Sequence, residues 1–281
     1  MLERIVLIFS GVLVLAVFSP SMFSSAQGTP NQAQVPTATP PPASSNSSDS
    51  GEEVYVSSLP DRGVAPEIQS LAWLNSDVPL RLEDLRGQVV LLEFWTFDCI
   101  NCIRTLPYIE QWHQTYQDQG LVVIGIHYPE FNYERDLHNI SAATARLNVS
   151  YAVGQDNDGL TWRAYNQRYW PTTYLIDKRG NIRYLRIGEG NYQQTEAAIN
   201  DLLAETYVGT VADTIDEDPL RYLTTDVVLN VRNGAGISNG QIGTILPGMA
   251  FVILDEEDGW YQIRYNDDLG YVSGEYVTVV E

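Results

Sequence analysis

The chain has 281 residues, with 36 acidic against 16 basic side chains and a formal charge of -20. This acid excess excludes nucleic-acid binding, which needs a basic patch, while the length admits two small domains with linkers. The 2 cysteines, Cys99 and Cys102, and the scattered His113, His127 and His138 leave a four-ligand zinc site without its second pair of ligands.

From the N-terminus, an apolar run from Ile5 to Phe18 follows Met1-Leu2-Glu3-Arg4 and ends at Ser19-Pro20. It is short for a membrane span and has the length of a signal-peptide core, with Ser24 and Ala26 as small residues for cleavage. Because Glu3 offsets Arg4, residues 1–26 are read as a signal peptide or an uncleaved N-terminal anchor. Residues 27–58 are rich in Pro, Ser, Thr, Gln and Asn, with Pro40-Pro41-Pro42 and the run Ser44 to Ser50. Such a composition cannot bury a core and reads as a flexible linker.

Ile68 to Leu74 alternates loosely and is expected to be a strand that turns at Asn75-Ser76-Asp77. Val89 to Phe94 has the length and the β-branched and aromatic content of a buried strand. It runs into Cys99-Ile100-Asn101-Cys102 and then a helical pattern of Ile103, Leu106, Ile109, Trp112 and Tyr116, with a kink expected at Pro107 and a stop at Gly120. A strand that delivers two thiols to the first turn of a helix sets one of them beside unpaired backbone N–H groups and the positive helix end. That setting stabilises a thiolate and points to dithiol–disulfide exchange. Haem attachment needs a histidine directly after the second cysteine, where Ile103 stands. A purely structural disulfide here would close so short a loop that it would constrain the unfolded chain little.

Leu121 to Ile126 reads as a second buried strand, Ala142 to Leu147 as a helix and Thr161 to Tyr165 as a short helix. Tyr174 to Asp177 and Ile182 to Ile187 read as a hairpin turning at Lys178-Arg179-Gly180-Asn181, and Thr195 to Thr206 as a closing helix. This alternation implies an α/β domain over residues 59–207, a mixed sheet with helices on both faces. Residues 208–225 form an acidic linker with a short hydrophobic docking segment at most, without the apolar periodicity that would dock neighbouring domains tightly. Residues 226–281 carry short apolar segments, Val227 to Val231, Ile242 to Leu246, Ala250 to Leu254, Trp260 to Tyr265 and Gly270 to Val272. Gly, Asn and Asp separate them, which implies a small all-β barrel that folds alone and is dispensable for the chemistry.

Phe94-Trp95-x-x-x-Cys99-x-x-Cys102, Pro107 and the run Trp170-Pro171-Thr172-Thr173-Tyr174 resemble a thioredoxin-fold thiol–disulfide oxidoreductase. The resemblance is to the extracytoplasmic TlpA-like and DipZ-like branch, where Pro129-Glu130-Phe131 and Gly188-Glu189-Gly190 are also familiar. It covers about Pro66 to Glu205. It implies that Cys99 is the nucleophile and Cys102 the resolving thiol of a redox-active disulfide, and that Pro171 is a cis-proline facing them, with Glu93 and Trp95 in support. On its residues alone Glu93 stays open between a buried acid under the cysteines and an acid turned to solvent at a pleat edge. Asp98 beside Cys99 would oppose thiolate formation if its charge lay close. His127 and Glu130 follow the second strand, where they border the site or, as is expected for both, take a surface or loop role.

Leu229-Asn230-Val231-Arg232, Gly259-Trp260-Tyr261 and Gly270-Tyr271-Val272 resemble a bacterial SH3 domain, with Tyr271 where tryptophan is more usual. Together the resemblances imply no cofactor, disulfide or dithiol protein substrates, and a separate membrane electron donor, since this chain carries no multi-helix membrane domain. They also imply cell-wall peptide or glycan as the barrel's ligand, and a reductive role that includes cytochrome c maturation. The rival readings are a thiol peroxidase, with Thr96 at the spacing such enzymes use, and a non-enzymatic cell-wall-binding protein.

Overall fold

A computed structural model of the chain describes residues 54–209 and 220–280. The signal peptide or anchor expected at 1–26, and the linker up to residue 53, lie outside the described residues. The strands are β1 (Ala72–Leu74), β2 (Val89–Trp95), β3 (Leu121–His127), β4 (Ala152–Gln155), β5 (Thr172–Ile176) and β6 (Ile182–Ile187). The helices are α1 (Ile100–Tyr116), α2 (Leu137–Leu147), α3 (Leu160–Ala164) and α4 (Tyr192–Leu203). The C-terminal part adds β7 (Tyr222–Thr224), β8 (Leu229–Arg232), β9 (Gln241–Ile245), β10 (Met249–Val252), β11 (Asp255–Glu257), β12 (Trp260–Tyr265), β13 (Asp268–Ser273) and β14 (Thr278–Val280).

β2 is the central strand, buried at every position. It pairs parallel with β3 on one side and antiparallel with β5 on the other. A strand covered on both faces must be apolar in both alternations, and this is why Val-Val-Leu-Leu-Glu-Phe-Trp reads as a continuous run. Val89, Leu91 and Trp95 share a core with Cys102, Leu106 and Ile109 of α1 and Ile199 of α4. Val90, Leu92 and Phe94 face the opposite core, with Ala65, Ile68, Leu82 and Tyr165. Glu93 therefore lies, by the period of two, on the α1 face with the cysteines. β6 follows β5 in the sheet, β4 follows β3, and α1 crosses between β2 and β3, which is the thioredoxin fold. Pro107 sits inside an unbroken α1. β4 has no counterpart in the sequence reading, because Ala152-Val153-Gly154-Gln155 is too short and too weakly apolar to announce a strand.

Two expectations about the C-terminal part are corrected. The segment assigned to the linker is not irregular throughout: Tyr222–Thr224 is a strand that pairs with β10 and β14. Nor does the barrel stand apart. β10 pairs antiparallel with β1, Ala72 opposite Phe251 and Leu74 opposite Met249, so one nine-stranded sheet runs in the order β14-β7-β10-β1-β4-β3-β2-β5-β6. The remaining barrel strands form a five-stranded sheet, β11-β12-β13-β8-β9. The contact is made by backbone groups of two edge strands, and apolar periodicity carries no trace of which edges meet. Side chains reinforce it: Arg135 makes two hydrogen bonds to Asp267, both 2.7 Å, and Arg264 makes two to Asp158, at 2.8 and 2.9 Å.

Candidate active site

β2 ends at Trp95, and the turn Thr96-Phe97-Asp98 carries the chain to Cys99, which occupies the N-cap of α1 with extended backbone angles. A cap residue offers its side chain to N–H groups that have no partner within the helix. Here Cys99 Sγ accepts the Cys102 N–H at 3.3 Å. Both cysteines are free thiols; Cys99 is partly exposed and Cys102 fully buried. The Cys102 thiol, as hydrogen-bond donor, pulls the Cys99 pKa down; partial burial opposes it, the N–H groups of Cys102 and Asn101 reinforce it, and the charge of Glu130 opposes it, leaving Cys99 at about 6. Burial drives the Cys102 thiol in the other direction, far above its ordinary value, assisted by the hydrogen bond with Cys99. One thiol is thus ionised at neutral pH and the other is not.

Glu93 is fully buried on the α1 side of β2, so the reading that turned it to solvent is overturned. Burial raises its pKa to about 8, against the lowering effect of the Tyr151 hydroxyl, which donates to Oε2 at 3.0 Å. Its other oxygen, Oε1, has no hydrogen-bond partner. Trp95 lies across Gly125 of β3, where an added Cβ would come within 2.8 Å of its indole nitrogen. Glycine is what lets this ring come so close to the strand next to the buried acid.

The peptide bond between Trp170 and Pro171 is cis. Pro171 precedes β5, whose Thr172 is opposite Phe94, so it stands at the end of the sheet where β2 releases the cysteine turn. The Trp170 ring packs on Trp162 with centroids 4.6 Å apart and on Tyr128 at 6.0 Å. Among the described residues no cluster of three or more His, Cys, Asp or Glu side chains could hold a metal ion.

This arrangement can be set against known proteins. Residues 64–185 match the AhpC/TSA family, and residues 227–278 match the bacterial SH3 domain. Protein DipZ of Mycobacterium tuberculosis is 43% identical over 150 residues, which is 52% of this chain and 22% of DipZ. The chain therefore spans about a fifth of the length of that relative. Thiol-disulfide oxidoreductase YkuV of Bacillus subtilis is 31% identical over 136 residues, 48% of this chain and 90% of YkuV. The chain belongs to the thiol–disulfide oxidoreductases. Thiol-disulfide oxidoreductase ResA of Geobacillus thermodenitrificans is also similar, 31% identical over 108 residues, 38% of this chain and 59% of ResA.

Two residues around the oxidoreductase's cysteines, Tyr151 and Glu134, escaped the sequence reading, and a third, His127, lies elsewhere than expected. His127 closes β3 and is fully buried, not on the surface or in a loop as expected. Its ring stacks on Phe97 and meets Trp95 edge-on, and Nε2 lies 3.3 Å from the Thr96 hydroxyl. Burial lowers its pKa to about 3, so it is neutral under the cysteine turn. Tyr151, the partner of Glu93, immediately precedes the unannounced β4. Glu134 is fully buried and accepts the N–H groups of Glu130 (2.6 Å), Phe131 (2.8 Å) and Asp98 (3.3 Å). No spacing signal marked either. Asp98 does not lie free against Cys99: its carboxylate accepts the Tyr133 hydroxyl at 2.5 Å.

Proposed function

We propose that this oxidoreductase acts outside the cytoplasm as a reductant of protein disulfides. The observation that carries the exchange chemistry is the asymmetry of the thiol pair, a partly exposed Cys99 with a lowered pKa above a buried Cys102 with a raised one. The Cys99 thiolate attacks a substrate disulfide, forms a mixed disulfide and expels one substrate thiolate. Cys102 loses its proton and attacks Cys99 Sγ, which releases the second substrate thiol and leaves Cys99–Cys102 oxidised. Two electrons pass to the substrate, and a separate membrane donor restores the dithiol. Glu93 is the acceptor of the Cys102 proton, and the cis Trp170–Pro171 edge is where a substrate strand lies beside the sulfurs. The N-terminal apolar run supports export or tethering, and the reductive direction, with a place in cytochrome c maturation, follows from the sequence resemblance. The match to a bacterial SH3 domain supports cell-wall peptide or glycan as a ligand of the barrel.

The reduction potential of the Cys99–Cys102 couple tests the direction. A value near about -270 mV fits a reductant of the thioredoxin type, whereas one near about -120 mV would make the protein a disulfide donor. The AhpC/TSA match favours thiol peroxidase as a second reading. Thr96 has the spacing for that chemistry, but it is fully buried and bonded to His127. Peroxide consumption by the purified dithiol protein separates the two.

A further inference from the structure

The hairpin between β12 and β13 turns at Asn266-Asp267 and reaches out of the barrel to the segment that borders Cys99. Asp267 receives both Arg135 hydrogen bonds, and Asn266 Oδ1 accepts the N–H of Leu137, the first residue of α2, at 2.7 Å. Arg135 ends the 3-10 turn Asn132–Arg135, and its Nη2 also donates to the Asn157 carbonyl at 3.1 Å. Glu134 and Tyr133, the two residues before Arg135, are the ones that hold the cysteine turn. Glu134 accepts the Asp98 N–H, and Tyr133 donates to the Asp98 carboxylate. An unbroken series of contacts therefore runs from the barrel hairpin through Arg135, Glu134 and Tyr133 to the residue before Cys99.

We propose that the C-terminal barrel is a working part of the redox site, with Asp267 and Asn266 as positioning residues that fix the 130–135 segment and, through it, the Asp98–Cys99 turn. The inference rests on the redox reading above and extends it, giving the barrel a role in setting thiol reactivity besides any binding of its own. A geometric reason makes the coupling sensitive. Glu134 is a buried carboxylate satisfied by backbone N–H groups from both loops, so a shift of the 130–135 segment strips partners from the cysteine turn. The titratable groups around Cys99 and its turn are Cys102 on α1, Glu93 on β2, His127 on β3, Asp98 on the turn itself, and Glu130, Tyr133 and Glu134 on the segment that the barrel holds. Released from Tyr133, the Asp98 carboxylate would stand unpaired beside Cys99 and oppose its ionisation.

The test is the pH profile of Cys99 alkylation by iodoacetamide in the full chain. Asp267→Ala is expected to alkylate about three-fold or more slowly at pH 6 and at the wild-type rate at pH 9, where the thiol is ionised in both proteins. Asp267→Glu, which keeps the carboxylate, should restore most of the rate at pH 6. Glu256→Ala, which removes a partner of Arg221 within the barrel, should leave the profile unchanged. A merely structural contact would lower thermal stability without moving the profile, so a folded Asp267→Ala with the wild-type profile overturns the proposal. If Asp267→Ala does not fold, Asp267→Asn carries the same comparison with the same two outcomes. Loss of the redox reading is seen separately, as failure of the wild-type protein to exchange disulfides, while the alkylation profile still reports on the coupling.

Discussion

Tyr151 donates its hydroxyl to Glu93 at 3.0 Å inside the fully buried layer between the sheet and α1, leaving the second carboxylate oxygen without a partner. The contact joins the start of β4 to the central strand beneath the cysteines. It supplies one hydrogen bond where an ionised carboxylate would need several, so the pKa is raised toward the working range and a minor ionised fraction is left at neutral pH to take a proton.

The first prediction concerns the order of attack. In the reduced protein Cys99 should alkylate well before Cys102, since it alone is accessible and ionised near pH 7. Cys102→Ser should accumulate mixed disulfides with substrates on a non-reducing gel, and Cys99→Ser should not. Faster alkylation of Cys102 would reverse the assignment.

The second concerns Glu93. Glu93→Gln keeps the shape and removes the proton acceptor, so resolution of the mixed disulfide should slow by about ten-fold or more near neutral pH. Formation of the mixed disulfide should change much less. Tyr151→Phe removes the bond that lowers the Glu93 pKa, so its resolution step should need a higher pH than the wild type. Stopped-flow traces across pH separate the two steps, and equal slowing of both would rule out a role specific to resolution.

The third is a linkage effect with a definite sign. Glu93 has a folded pKa of about 8 against 4.5 when exposed, so between these values only the folded state holds the proton and stability falls as pH rises. His127 has a folded pKa of about 3 against 6.5, so between those values only the unfolded state holds the proton and stability rises with pH. The two slopes, each about 1.4 kcal/mol per pH unit, oppose one another from pH 4.5 to 6.5, while Asp156, raised to about 6, adds a fall below that value and Cys99, lowered to about 6, adds a rise above it. The stability of the wild type minus that of Glu93→Gln isolates the Glu93 slope and should fall with pH from about 4.5 to about 8. Urea unfolding at several pH values measures both. A wild-type minus Glu93→Gln difference that does not fall from pH 6.5 to 8 would contradict the assignment for Glu93.

The fourth addresses the far edge of the sheet. Arg183 of β6 is buried and donates to Asp177 at 2.9 Å, to Glu205 at 3.0 Å and to the carbonyls of Ser57 and Leu59. Removing one member of such a network strands two buried carboxylates. Arg183→Ala should therefore cost on the order of 3–5 kcal/mol while leaving the alkylation rate of Cys99 in the folded protein unchanged. A loss under about 1 kcal/mol would show that the carboxylates find other partners or protonate.

The sequence by itself determined the chemistry and the frame that delivers it. The Val89–Trp95 run, the two cysteines at the head of a helix, the hairpin strands and the five main barrel strands are local patterns, set by burial on one or both faces and by turn residues. Local patterning cannot choose partners between edges distant in the chain. The tertiary structure alone decided that β10 joins β1, that Tyr151 reaches Glu93, that His127 is buried between Trp95 and Phe97, and that Asp267 meets Arg135. Each of these brings together groups whose spacing in the chain has no period. Their consequence is electrostatic: the environment of a carboxyl or an imidazole depends on which distant side chains enclose it, so the site's pKa values belong to the fold and not to the motif.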